Sequence, residues 1–415
     1  MKELLRSKIA TQTTGVFSAQ LLVAFLGFVI NVLFIRTLEA TDFATFAVFA
    51  SAQMLSSGIL NLGWTETFVR YQSAAQTDAL RTALASFFLK RILVSATLFA
   101  ILLTLLTPLA PGLLSQPRSV IAYLDAAIAG SWAATLFHFV LAKHRADGHF
   151  KLFSLGQILP AAVRIALCGV LLIGWHLSIS AIVAIYVIAP VLAWALLFFS
   201  FGKKFALPPL RGLQPEPALR RSIHDSHRWW AASSLTTQLS GNLDTQILAW
   251  GSGSGEVARY AVVGRLAAPV SLLLNSFSTT FLPKLSQNAK NQSRLLKHYF
   301  SFVLLSVGGV LVAWFVAPPV LSHLAGARYL GLENLVRAQC INMGIVLLAN
   351  PLGVLLLAQG RTRAIALLNG AQLLLALTIY PPLTTSWGAL GANLATIAVN
   401  GLGLIVTMSL AFRKR

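Results

Sequence analysis

Apolar residues in this chain seldom alternate with polar ones. They run together in long blocks separated by short polar or Gly/Pro-containing breaks. A helix crossing the bilayer core needs ~20 consecutive, mostly apolar residues. Twelve blocks reach that length, near 14–35, 44–65, 92–114, 119–141, 152–174, 178–201, 229–250, 257–281, 299–322, 333–357, 364–384 and 387–411. They are too long for the ~10-residue alternating strands of a membrane barrel. Helices satisfy their own backbone groups inside lipid. The pattern therefore predicts an all-α polytopic membrane protein of about 12 transmembrane helices. Apolar blocks continue along the whole chain, so the first is a span and not a cleaved signal peptide.

Composition agrees. Of 415 residues, 56% are hydrophobic and only 11% charged, with a mean hydropathy of +0.74. A soluble domain carries about 25% charged residues. The net charge of +20 would point to nucleic acid in a soluble protein. Here the basic residues sit between the blocks and set orientation instead. With the N-terminus in the cytoplasm, 25 Lys and Arg fall in cytoplasmic segments and 4 in outside segments. Shifting the register by one span would scramble that split. The expected location is the bacterial cytoplasmic (inner) membrane, with both termini cytoplasmic. An anionic lipid or lipid phosphate is the partner that the remaining positive charge would attract. Cys168 and Cys340 lie in apolar blocks and imply neither a disulfide framework nor a metal site.

The longest break carries Pro208, Pro209, Pro215 and Pro217 among basic residues. It divides the chain into an N-terminal six-helix lobe (1–201), a cytoplasmic linker (202–227) and a C-terminal six-helix lobe (228–415). The lobes echo one another. Asp42-Phe43-Ala44-Thr45-Phe46 opens the second block, and Glu256-Val257-Ala258-Arg259-Tyr260 opens the eighth. About twenty residues on, Thr67-Phe68 answers Thr280-Phe281. Paired lobes of this kind hold a transported substrate near the bilayer midplane, between the repeats. The outside loops are too short for a soluble catalytic domain. No Gly-rich phosphate loop, metal cluster or nucleophile triad is present, so neither an enzyme nor a cofactor is expected.

The seventh block holds Asp244 within its apolar run. An ionisable residue in hydrocarbon is costly and is a functional candidate by default. Gln238, Asn242 and Gln246, at spacings of four, form a polar stripe from which Asp244 is offset.

Several short motifs recur in a known order. They are Asn31 with Arg36-Thr37-Leu38, Asp42 to Phe46, Leu243-Asp244-Thr245-Gln246-Ile247-Leu248, Glu256 to Val262, Phe281-Leu282-Pro283-Lys284-Leu285-Ser286, and Gly388-Ala389-Leu390-Gly391-Ala392. In this order the chain resembles the polysaccharide-unit (O-antigen and exopolysaccharide repeat-unit) flippases of the multidrug/oligosaccharidyl-lipid/polysaccharide exporter superfamily. The resemblance implies two six-helix lobes around a central cavity that work by alternating access. It implies an undecaprenyl-diphosphate-linked oligosaccharide as substrate, a proton or sodium as coupling ion, and polysaccharide polymerase or assembly proteins as partners. It departs from the lipid II flippase branch, which typically has fourteen spans.

A diphosphate needs cations, and arginine's fork suits phosphate oxygens. Arg36, Arg70, Arg164, Arg265 and Arg337 lie within or at the ends of spans, and Asn31 could bond sugar hydroxyls. Asp244, Glu66 and Asp125 are the carboxylates available for coupling or gating; Glu66 has Arg70 at i+4 as a helical partner. Each has a structural alternative: snorkelling at the interface for Arg36 and Arg70, an Arg ion pair for Asp244, solvation for Asp125. Two other functions fit a polytopic helical chain. A multidrug or cation exporter of the same superfamily would favour carboxylates over arginines in its cavity. A membrane glycosyltransferase or polysaccharide polymerase would need acidic residues and a large outside domain.

Overall fold

The structure, a computed structural model, describes residues 2–109, 120–174, 177–210, 214–265, 292–326, 329, 331–358 and 361–412. Among them there is no β-strand. The helices are α1 (Lys2–Thr37), α2 (Ala40–Asn61), α3 (Trp64–Ala74), α4 (Asp78–Leu106), α5 (Val120–Ala146), α6 (Phe150–Gly174) and α7 (Ile179–Phe201). They continue as α8 (Pro217–Gly251), α9 (residues 254–265), α10 (Gln292–Ala325), α11 (Glu333–Ala358) and α12 (Thr362–Phe412).

Among the described residues, nine helices are long and apolar enough to cross a membrane. They match blocks one to six and nine to twelve, because one long helix, α12, carries the last two. The seventh block lies in α8, which is helical throughout but too polar to be counted among the nine. The eighth is described only as far as 265. The protein is a multi-pass, all-α membrane protein, as its hydrophobic pattern predicts.

Three boundaries differ from the sequence expectation: one helix stops early, and two begin well before their apolar blocks. The second block does not run to 65. α2 stops at Asn61, and Leu62 and Gly63, both at positive φ (43° and 72°), turn the chain into the separate helix α3. A side chain on Gly63 would also meet the Trp230 backbone at 3.0 Å, so glycine is required twice over. α4 starts at Asp78 rather than near 92, with Thr77 Oγ1 accepting from the Leu80 amide as its N-cap. α8 starts at Pro217, a residue suited to a first helical position. Residues 202–227 are therefore not one long loop. They hold a 3-10 turn (Gly202–Phe205) and the first two turns and more of α8.

Backbone contacts divide the chain into two units whose limits fall inside helices. Unit 1 comprises Met1–Gly27 and Val48–Asn242; unit 2 comprises Phe28–Ala47 and Leu243–Arg415.

In unit 1, α5 packs on α3, α4, α6 and α7. One apolar core gathers Trp64 and Phe68 of α3, Phe87, Phe88 and Ile92 of α4, Leu136 and Phe139 of α5, and Ile223 of α8. Short α3 earns its place by this burial, since an 11-residue helix has little stability alone. Its other face is polar: Arg70 donates to Ser226 Oγ at 3.1 Å, and the Tyr71 hydroxyl to the Ser222 carbonyl at 2.9 Å. Against the same core, the His227 ring stacks on Trp64 with 3.4 Å between centroids.

Burial, and secondarily the neighbouring His224, lowers the His227 pKa from 6.5 to about 4. The folded protein thus resists protonation at His227 while the unfolded chain accepts it below 6.5. Stability should fall as pH drops from 6.5 towards 4. The expected result is a lower melting temperature at about pH 4.5 than at pH 7.5, with a smaller difference in His227→Phe. An undiminished pH dependence in that variant would assign it to other groups.

In unit 2, α11 packs on α10 and α12. α12 is two helices in series that meet at Gly388, whose φ of 54° and ψ of −132° break the helical path. Beyond the break, a Cβ on Gly391 would land on the Leu383 carbonyl, so the Gly388-Ala389-Leu390-Gly391 segment is a close crossing of the chain over itself. Glu256, third residue of α9, fixes the crossing: its Oε2 accepts from the Ala389 amide at 2.8 Å, and its Oε1 pairs with Arg259 at 3.2 Å. A carboxylate at the start of a helix is favoured by the helix dipole. Asp42 holds the corresponding third position of α2.

Candidate functional site

Arg164, Arg265, Arg337 and Asp244 occupy four settings inside the spans, one in unit 1 and three in unit 2. In unit 1, Arg164 projects from α6. Its guanidinium lies 4.3 Å from the centre of the Tyr186 ring of α7, a cation–π contact. His138 of α5 lies within the electrostatic reach of Arg164. Arg164 Nε is buried and has no hydrogen-bond partner among the described residues.

In unit 2, Arg265 stands at the end of described α9. Its Nη1 donates to Asn31 Oδ1 at 2.8 Å, and its guanidinium lies 4.4 Å from the Phe46 ring and 5.9 Å from Phe43. Three of the sequence motifs meet here: Asn31 from α1, the Asp42–Phe46 segment from α2, and α9. Phe46 also meets Phe34 edge-on at 5.0 Å, so the two rings pack as one aromatic platform. Arg337 of α11 lies 5.9 Å from Trp314 of α10, and its Nε, too, is buried without a partner among the described residues. None of the ion pairs among the described residues includes Arg164 or Arg337.

The fourth setting is Asp244 on α8. Its Oδ2 accepts from the Tyr260 hydroxyl at 2.5 Å, and its Oδ1 from the Thr245 amide at 2.6 Å and hydroxyl at 3.3 Å. Tyr380 of α12, bonded to Thr396 at 2.7 Å, lies in the electrostatic reach of the same carboxylate. These partners are hydroxyls and an amide; the arginine pair offered as the structural alternative is not what holds Asp244. The offset from the polar stripe has a packing reason. Gln238 and Asn242 face α2 within unit 1, where Gln238 packs against Gly58 and the Asn242 carbonyl accepts from Ser51 at 2.8 Å. Two residues further round the helix, Asp244 meets α9 instead.

The other candidates are held in structural contacts. Arg36 reaches the last carbonyls of α10, Leu324 at 3.1 Å and His323 at 3.3 Å, and caps that helix end with a cation. Glu66 does not close the second span. It sits in the first turn of α3, where Asn61 Nδ2 donates to it at 3.5 Å and Asn61 Oδ1 accepts from the Thr65 amide. The expected Glu66–Arg70 pair does not form, because Arg70 turns to Ser226 on α8. Asp125 accepts from Thr107 at 2.8 Å and ties α5 to the 3-10 turn after α4. Asn342 of α11, a polar residue inside a span that was not among those candidates, accepts from Asn400 at 2.8 Å, a helix-to-helix contact.

Sequence reasoning passed over Tyr186 and Tyr380, and gave His138 no role. Each sits in a span as an ordinary aromatic or polar residue. Only Tyr260 carried a signal, as the last residue of the repeated acid-to-aromatic motif.

A family model described as "Polysaccharide biosynthesis protein" matches residues 10–289. No curated protein matches the sequence. Among solved structures, the chain is similar to the lipid II flippase MurJ in an inward closed conformation (TM-score 0.76, 14% identity, covering 94% of this chain and 86% of that one). It is similar to an inward-facing multidrug resistance transporter of the MATE family and the MOP superfamily (TM-score 0.71, 12% identity, 96% and 97% covered). It is also similar to a MOP superfamily transporter from Pyrococcus furiosus, described by the reversed polarity of its binding pocket (TM-score 0.65, 13% identity, 96% and 94% covered). At these identities the likeness establishes the fold. The family match spans more than half of the chain, and the protein belongs to the polysaccharide biosynthesis protein family, built on the fold of MOP superfamily transporters.

Proposed function

We propose that the protein flips undecaprenyl-diphosphate-linked oligosaccharide units across the cytoplasmic membrane, by alternating access, for surface polysaccharide synthesis. The observation that carries this is the setting of Arg164 and Arg337. Both guanidiniums lie in spans against aromatic faces, each with a buried Nε unpartnered and no carboxylate paired to it among the described residues. Both side chains are half-buried, a cation drawn part-way out of water without a counter-ion is costly, and a phosphate-bearing headgroup would provide an anion for either one. Arg265, which donates to Asn31 and lies over Phe46, is a further guanidinium inside the spans.

A cation exporter would want the opposite polarity, so these arginines favour the anionic lipid over the multidrug reading. Asp244, with Tyr260 as its hydroxyl partner, is the coupling or gating residue in this proposal, for a proton or sodium. The chain makes and breaks no covalent bond, and its two six-helix lobes are the moving parts.

The test is deletion in the native host. Lipid-linked units should accumulate on the cytoplasmic leaflet while surface polysaccharide is lost. If the lipid-linked unit is never assembled, the protein acts in synthesis and not in translocation.

A further inference from the structure

Away from the intramembrane charges, unit 1 carries an apolar groove at the end of α7. It has a volume of about 370 Å³, inside the ~300–1,000 Å³ range of ligand sites, and is lined by Val191, Trp194, Phe198, Phe199, Phe205 and Leu207. The sequence builds it in three steps. α7 ends at Phe201, and Gly202, at a φ of 59°, releases the chain into the 3-10 turn Gly202–Phe205. Phe205 then tucks under α7, fully buried, and packs on the His144 ring at 4.6 Å. Trp194 Nε1 donates to the Phe205 carbonyl at 2.9 Å, which satisfies that carbonyl beneath the groove. The chain leaves through Ala206 and Leu207, which form the far wall.

Two features say what covers the groove. Phe199 is 83% exposed and Phe198 43%, so the mouth opens where an apolar chain would lie. Lys203 and Lys204, both exposed, lie in the 3-10 turn directly before Phe205, one of the residues that line the groove. They belong to the basic segment that the Lys/Arg distribution assigns to the cytoplasmic side. An apolar trough whose lining continues from two lysines at the membrane surface complements a molecule with an alkyl chain and a phosphate.

We propose that the α7 groove is a binding site for an anionic phospholipid, one acyl chain lying along Trp194 and Phe198 and the phosphate held by Lys203 and Lys204. The site is separate from the flippase proposal and holds whether or not that proposal is right. The lipid would brace the turn between α7 and α8 from outside the transport path.

The test uses the full chain in phosphatidylcholine nanodiscs with trace phosphatidylglycerol carrying a diazirine on one acyl chain. Identically labelled phosphatidylcholine and polyprenyl diphosphate are used in parallel. After irradiation, labelled peptides are mapped by mass spectrometry. Labelling of the Val191–Leu207 peptide should be about tenfold greater with phosphatidylglycerol than with phosphatidylcholine, as two favourable lysine contacts allow. The Lys203→Glu, Lys204→Glu double variant should bring it to the phosphatidylcholine level, with labelling elsewhere unchanged. If that variant does not fold, Lys203→Gln with Lys204→Gln should reduce it severalfold. Equal labelling by the two phospholipids would reduce the groove to ordinary lipid contact and overturn the proposal. Labelling unaffected by the lysine changes would do the same. Stronger labelling by the polyprenyl diphosphate than by phosphatidylglycerol would hand the groove to a transported lipid.

Discussion

Arg164→Ala and Arg265→Ala should each cut export of the lipid-linked unit by about 10- to 100-fold while protein level in the membrane holds. A hydrogen bond to a charged group is worth ~1.5–3 kcal/mol, and 1.4 kcal/mol is tenfold. Removing Arg164 takes away a guanidinium whose Nε has no protein partner among the described residues. Removing Arg265 also takes away the donor that Asn31 accepts from. Lysine should rescue both only in part, because a point charge keeps the attraction but loses the fork. Asn31→Ala should resemble a weakened Arg265→Ala, since it leaves the guanidinium but not its anchor. The measurement is surface polysaccharide against membrane protein level in a complemented deletion strain. Normal export in both alanine variants would remove these arginines from the site.

Asp244→Asn should abolish export at unchanged protein level. Asparagine fills the same volume and still accepts at one oxygen, so the fold should tolerate it. What it lacks is a carboxylate that can change its charge as an ion or proton arrives. Tyr260→Phe removes the 2.5 Å hydroxyl partner and leaves that carboxylate with the two Thr245 contacts. It should reduce export severalfold and shift its dependence on pH or sodium relative to the parent protein. A Tyr260→Phe protein with the parent's ion dependence would confine Asp244 to a packing role. Reconstituted vesicles with an imposed proton or sodium gradient distinguish the two ions. Only the ion actually used should lose its stimulatory effect in Asp244→Asn.

These two sets of variants depend on different contacts, and the structure separates them cleanly from their neighbours. Arg36, Glu66 and Asp125 cap or tie helix ends. Substitution there should lower stability before it lowers export. The contrast matters because all of them looked alike as charges near apolar blocks.

The run lengths of apolar residues by themselves determined that the protein is helical and crosses the membrane many times. That follows from the thickness of hydrocarbon and from its refusal to solvate free backbone groups, neither of which needs tertiary information. The order of short motifs pointed to the family. The ends of helices were harder to see, because α3, the first turns of α4 and the start of α8 are amphipathic. They form by burying Trp64, Phe68, Phe87 and Ile223 on residues distant in sequence, which no local pattern records. The site was legible as residue types and not as partners. That Asp244 would meet Tyr260 and not an arginine, that Arg265 would meet Asn31 across 234 positions of sequence, and that Arg70 would abandon Glu66 for Ser226 were settled by which helix faces pack together. Charge in a low-dielectric interior takes whichever partner the packing brings within reach, and only the folded chain specifies that.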